Sequence, residues 1–322
     1  MKNQNQKRII AGMLLAVGIL LPYITAHGLG LPGTVLLPMH IPVLLCGFLC
    51  GPARGAMLGL LLPVLSSVLT GMPSLYPMAP IMAVELMTYG LVTGLLYHKT
   101  KLGMRHVGIY LSLLIAMVCG RVMYGLTFQI LFAISGELKA LTVWAAAVTG
   151  LPGIMVQVLL VPPVVMAVNH HFEAKQNTAI QSAVHLIEEG RATCLVIKDN
   201  IIVKSESGRG IAPVIRLYES GILQGAYVVD KIVGKAAAMV MTLGGVRGCH
   251  AVTVSQSALD WFAAHGIPVT YDTCAAYIVN RQGDGICPME GIVGDIDDAE
   301  AALPMLKAEI AARGISGVSK IL

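Results

Sequence analysis

Two charged residues stand inside long apolar runs, where charge is costly: Glu85 and Arg121. An ionisable side chain at membrane depth normally pairs with another group or meets a ligand. Arg121 has Tyr124, Gly125 and Phe128 at the i+3, i+4 and i+7 positions, so one helical face carries all four. Glu85 has Tyr89 one turn deeper, and Gln157 stands near the middle of another apolar run. Counted from the outer end of each run, Arg121 is about 20 Å deep and Glu85 about 10 Å deep, at about 1.5 Å per residue. On that count the two need not touch, and a polar ligand could lie between them. A direct structural ion pair is the competing reading. The planar fork of arginine suits an anionic or polar substrate. His40 adds an imidazole beside an outer helix end, either as a ligand contact or as an interfacial residue.

A second set of candidates lies in the C-terminal third. A helix expected over residues 232–243 would be capped by Asp230. Lys231 and Lys235 would then sit in its first turns, where the helix dipole disfavours cations. A bound anion would reverse that conflict, with Arg209 of the glycine-flanked "GRG" turn joining the two lysines. Cys287 opens "CPME" at a candidate helix start, as a reactive or a buried thiol. The seven cysteines include no C-x-x-C pair, so neither a zinc knuckle nor a disulfide framework is indicated.

These residues need elements to position them, and the distribution of charge says which. Hydrophobic residues make up 56% of the chain and charged residues 12%, about half the charge of a soluble domain. Glu85 and Arg54 are the sole charges from 9 to 97, and Arg121, Glu137 and Lys139 the sole ones from 107 to 170. Apolar runs over 9–26, 35–50, 53–69, 78–97, 107–135 and 143–169 predict about six transmembrane helices, because backbone in lipid must satisfy its own hydrogen bonds. The second and third runs are short and rich in proline and glycine, which predicts tilted, kinked or partly re-entrant segments. Lys2, Lys7 and Arg8 precede the first run, but no clean A-x-A site follows it, so an uncleaved first helix is expected. With a cytoplasmic N-terminus, the inner segments hold Lys2, Lys7, Arg8, Arg54, Lys99, Lys101, Arg105 and Lys175, and the outer loops only Lys139. That bias predicts a multi-pass plasma-membrane protein of bacterial type with both termini in the cytoplasm.

After Phe172 charge returns to soluble density. The expected organisation is a membrane domain over 1–172, a polar linker over 173–177, a cytosolic α/β domain over 178–314 and a tail over 315–322. Expected helices at 178–189, 212–219, 232–243, 257–265 and 299–312 alternate with strands at 193–198, 201–205, 226–229, 251–255 and 268–271. That alternation predicts a three-layer arrangement around a mixed sheet.

The stretch "GLPGTVLLPMHIPVLLCGFLCGPARGAMLGLLLPVLSSVLTGMPSLYPMAPIMAVELMTYGLVTGLL" resembles the substrate-binding S components of energy-coupling-factor (ECF) vitamin transporters. The resemblance implies capture of a vitamin-like small molecule and partnership with a transmembrane coupling subunit and two ABC-type ATPases. The chain has no G-x-x-x-x-G-K-[ST] loop and would not be the ATPase itself. In that family the loop after the first helix, here around Gly28 to His40, helps to close the binding site. Small residues on the first helix dock the coupling subunit; Gly12 and Ala16 are the matching pair, with internal helix packing as the alternative.

In the C-terminal part, "GRGIAPVIRLYESG", "GAYVVDKIVGKAAAMVM", "YIVNRQGDGICPMEG" and "DIDD" resemble an uncharacterised bacterial family whose structures are similar to cytidine deaminases. A zinc deaminase needs H-x-E or C-x-E at one helix start and P-C-x-x-C at another. Val233-Gly234-Lys235-Ala236 and Ser255-Gln256-Ser257 stand there instead. A deaminase-like fold without metal, cofactor or zinc chemistry is therefore expected, and no nucleic-acid partner. The sequence thus reads as the substrate-binding membrane subunit of an ECF-type importer for a vitamin or related small polar molecule, with a fused ligand-sensing or regulatory domain. A membrane-anchored enzyme or receptor acting through the C-terminal domain is the alternative.

Overall fold

The structure, a computed structural model, describes residues 4–28, 33–100, 106–135, 150–280 and 282–313. The chain divides into two compact units, Met1–Phe172 and Glu173–Leu322. The first contains helices α1 (Gln4–Gly28), α2 (Gly33–Leu36), α3 (His40–Cys50), α4 (Pro52–Thr70), α5 (Met78–Lys99), α6 (His106–Ser135) and the start of α7 (Leu151–Glu188). Among the described residues, five segments are long and apolar enough to cross a membrane: Gln4–Thr25, Pro52–Thr70, Met78–Lys99, Val107–Leu131 and Leu151–Glu188.

The run expected over 35–50 is not a continuous span. The chain turns at Leu37, whose φ is 48°, and only then enters α3. Eleven residues make a helix of about 16 Å, roughly half the hydrocarbon thickness. Nine of them are buried, so α3 lies among other helices rather than facing lipid. Its first residue, His40, therefore stands inside the protein.

Glycines set how closely these helices pack. A β-carbon on Gly59 would lie 2.3 Å from the Leu86 carbonyl oxygen, and one on Gly90 would lie 2.2 Å from that of Gly55. Side chains there would push α4 and α5 apart. Gly120 of α6 accommodates the Tyr89 ring in the same way, 2.3 Å from where its β-carbon would be. That contact holds the phenol of Tyr89 beside Arg121.

Residues 173–177, expected as a linker, are helical within α7. In the second unit, Ala179, Ala183 and Ile187 of α7 form an apolar stripe against Leu195, Ile197 and Val229. The strands are β1 (Cys194–Lys198), β2 (Ile201–Glu206), β3 (Tyr227–Val233), β4 (Gly248–Ser255) and β5 (Val269–Ala275). They form one mixed sheet in the order β2-β1-β3-β4-β5. β1 is antiparallel to both neighbours, whereas β3, β4 and β5 are parallel. Asp199 and Asn200, both at positive φ, close the β1–β2 hairpin. The other helices are α8 (Ala212–Glu219), α9 (Lys235–Leu243), α10 (Gln256–Ala264), α11 (Pro288–Val293) and α12 (Ala299–Ala312). Val196, Val228 and Cys249 pack with α8, α9, α10 and α12. Because strand side chains alternate, this second core covers the face opposite α7.

The strand expected over 226–229 extends to Val233, since Ile232 and Val233 pair with Thr253 and Val254 of β4. Aspartate is depleted in strands, which is why the sequence suggests a break at Asp230. The following helix therefore begins at Lys235, three residues later than expected.

Candidate functional site

Four side chains from three helices meet in the membrane unit. Glu85 of α5 is buried, and its Oε1 accepts a hydrogen bond from the Tyr89 hydroxyl at 3.1 Å. Arg121 Nη1 of α6 lies 3.2 Å from the same oxygen. His40 Nε2 of α3 lies 3.5 Å from it, without hydrogen-bond geometry. The His40 and Tyr89 rings are 5.2 Å apart. The Arg121 guanidinium stands 6.0 Å from the Tyr124 ring, which stacks on Phe128. The result is a buried carboxylate beside a half-buried guanidinium with an aromatic wall.

Glu85 and Arg121 thus pair directly, against the expected separation in depth. The earlier count starts from the outer helix ends, but α6 has 30 residues and α5 only 22, so those ends are not level. Counted instead from Lys99 and His106, the ends that residues 100–105 join, Glu85 lies about 21 Å along α5 and Arg121 about 22 Å along α6. The pair leaves part of Arg121 unused. Its Nε and Nη2 are buried and have no acceptor among the described residues, and His40 Nδ1 is likewise unpartnered.

Gln157 of α7 is also buried, but its amide nitrogen reaches the Leu37 carbonyl at 3.5 Å. It therefore stands at the turn that introduces α3. His40 is buried beside Glu85, not placed at an outer interface. Gly12 and Ala16 are exposed on α1, and nothing lies within 4 Å of where a Gly12 β-carbon would be. Internal packing is thereby excluded for this pair among the described residues. Gly18 takes that part instead, against Leu62.

The second unit gathers polar groups where β3 and β4 end and α9 and α10 begin. Their hub is Glu290 of α11, which the sequence reading missed. Its Oε1 accepts from Ser255 Oγ at 2.5 Å, Ser257 Oγ at 3.2 Å and the Lys235 backbone at 3.2 Å. Its Oε2 accepts from the Ile278 backbone at 2.7 Å. Glu290 thus supplies the negative charge that the start of α9 favours. Ser255 also caps α10 by accepting from Ala258. A serine closing an apolar strand before a helix was the available signal for that cap. Nothing local marked Glu290, whose donors come from distant parts of the chain.

The predicted residues are distributed around this hub rather than joined in one pocket. Lys235 sends its ammonium to the Gly294 carbonyl at 2.9 Å and to Asp297 at 3.3 Å. Lys231 is an exposed strand residue and is not in the first turn of α9. Asp230 does not cap α9: it is buried on β3, and Gly234 occupies the cap position. Arg209 is exposed in the bend before α8, and no contact joins it to Lys235 among the described residues. Cys287 precedes α11, donating its backbone N–H to the Ile278 carbonyl. Cys249 joins the core, whereas His250 Nδ1 meets Thr270 Oγ1 at 2.9 Å.

Comparison with known proteins agrees with this division. Residues 6–165 match the family model "ECF transporter, substrate-specific component", and residues 182–310 match "Domain of unknown function (DUF1893)". A solved DUF1893 family protein from Thermotoga maritima is 26% identical, covering 41% of this chain and 90% of its own, with a TM-score of 0.38. No curated protein matches the chain.

Proposed function

Since residues 6–165 match the family model of ECF transporter substrate-specific components, we propose that this chain captures a small polar, vitamin-like molecule from outside the cell for an ABC-energised importer. The observation that carries this reading is the cluster of Glu85, Tyr89 and His40, buried in a bundle of apolar helices, with half-buried Arg121 against it. A purely structural ion pair would use its donors on protein acceptors, whereas Arg121 keeps two buried nitrogens without one among the described residues.

In this reading α3 serves as the sixth, shortened crossing, with α2 and the Leu37 turn completing the outer half. Both termini are then cytoplasmic. The exposed Gly12 and Ala16 face of α1 docks the coupling subunit, and ATPases supply the energy. The C-terminal domain, of deaminase-like fold, senses a cytosolic ligand at the carboxyl ends of β3 and β4, the usual ligand position in such sheets. A ligand there would compete with Glu290 for the donors of Ser255, Ser257 and Lys235.

The test is equilibrium binding by purified protein of the small molecule that copurifies with it. Arg121→Ala should weaken binding roughly tenfold or more, the scale of a lost charge-assisted hydrogen bond, with membrane insertion preserved. Unchanged affinity would remove Arg121 from the site.

A further inference from the structure

The way Glu85 engages Arg121 specifies the chemistry that its other donors can hold. A guanidinium offers several N–H donors, and its side-on edge presents the Nε and Nη2 N–H bonds in parallel. Glu85 takes Nη1 and leaves that edge, Nε with Nη2, buried without an acceptor among the described residues. Two parallel donors at this spacing match the two oxygens of one carboxylate. Single carbonyls or hydroxyls satisfy only one of them. Each enclosed donor left unmade carries a desolvation cost, so a ligand that satisfies both is favoured over one that satisfies one.

Charge separates carboxylate from phosphate. Glu85 and Arg121 already neutralise each other, so the ligand's charge adds directly to the buried total. A monoanion is held by the fork at the smaller cost; a phosphate dianion would place a second uncompensated charge at membrane depth beside Glu85. We infer that the captured molecule carries a carboxylate, seated bidentately on the Nε–Nη2 edge of Arg121. His40, buried one contact away with Nδ1 unpartnered, faces the same cluster.

This inference rests on the capture reading, and one experiment separates the two. The full chain in lipid nanodiscs is dialysed against a total small-molecule extract of bacterial cells, and every retained compound is identified by mass spectrometry. The expected result is a retained carboxylic acid. Its methyl ester should bind wild-type protein at least about tenfold more weakly, the scale of a lost charge-assisted pair. Arg121→Lys keeps a cation for Glu85 but has no fork, and should bind the acid no better than wild type binds the ester. The ester comparison needs no variant, so a misfolded Arg121→Lys protein would not rescue the idea. A retained compound with a phosphate or with no acid group, or an ester that binds as well as its acid, overturns the carboxylate and leaves capture standing. Retention of nothing beyond empty nanodiscs overturns both.

Discussion

Asp230 is a carboxylate inside a sheet, paired with Cys194 on β1 and Ala251 on β4. Burial pushes its carboxyl up to about 7, only partly offset by hydrogen bonds from the Ile232 backbone, the Cys194 thiol and the Lys231 backbone. The folded domain therefore holds a proton that the unfolded chain releases near its ordinary value of 3.8. Stability from this group is full below that value and falls as pH rises, levelling off once pH passes about 7. Asp230→Asn removes the titration. It should stabilise the C-terminal unit more at pH 8 than at pH 5, by a further amount on the order of 2 kcal/mol, read from urea unfolding at both pH values. An equal effect at both would show that Asp230 ionises normally. Glu290 tests the opposite situation, a carboxylate rich in donors. Glu290→Ala strands two serine hydroxyls and two backbone N–H groups, and should cost about 3 kcal/mol or more, whereas Glu290→Gln retains part of the network and should cost less. Chemistry at this scale was legible only where the background was silent. Glu85 and Arg121 stand out because the surrounding sequence has no charge. Glu290 does not, because a carboxylate in a soluble domain is ordinary and its donors at 235, 255, 257 and 278 converge only in three dimensions.

At the scale of elements, periodicity located α8 and α12 to the residue, since amphipathic helices with clear ends carry their own signals. Strand ends were less legible: β3 outlasts its hydrophobic run because β4 supplies ladder partners. Position along a helix misled for a different reason. Depth depends on where a helix ends relative to its neighbours, which no single run states. The α4–α5 contact shows how tightly these levels are then held. Gly59→Leu would drive a side chain into the Leu86 carbonyl, so α5 must shift and carry Glu85 with it. The expected outcome is lost thermal stability in detergent, and substrate binding weakened more than by Met57→Leu, which lies on an exposed face of α4. Wild-type behaviour of Gly59→Leu would mean that α4 and α5 do not pack through this surface. Topology belongs to the same scale. Cysteines introduced at Gly33 and Gly136 should react with an impermeant thiol reagent in intact cells, and one at Lys101 should not, as the loop charges require. Labelling at Lys101 would invert the orientation and, with it, the proposed side of capture.

The whole molecule joins a helical unit, whose Arg121 keeps two donors unmet among the described residues, to an α/β unit in which Glu290 engages the start of α9 internally. Neither contains a G-x-x-x-x-G-K-[ST] phosphate-binding loop, so the proposed importer assigns ATP hydrolysis to its partner subunits. A capture subunit of this kind separates two properties that a self-sufficient carrier would combine. In the proposed capture, binding depends on half-buried Arg121 and its buried partner Glu85. In that proposal uptake depends in addition on a surface that a partner can approach, and α1 offers the exposed pair Gly12 and Ala16, flanked by exposed Met13 and Val17. Ala16→Trp adds a large ring to that face while touching none of the binding residues. In cells that coexpress the coupling subunit and ATPases, this variant should lose most uptake of the copurifying substrate, with its affinity in detergent within about twofold of wild type. In proteoliposomes containing this chain alone, wild-type protein should bind the substrate without concentrating it. Concentrative uptake by the isolated chain would refute the dependence on partners, and full uptake by Ala16→Trp would move the docking surface away from α1.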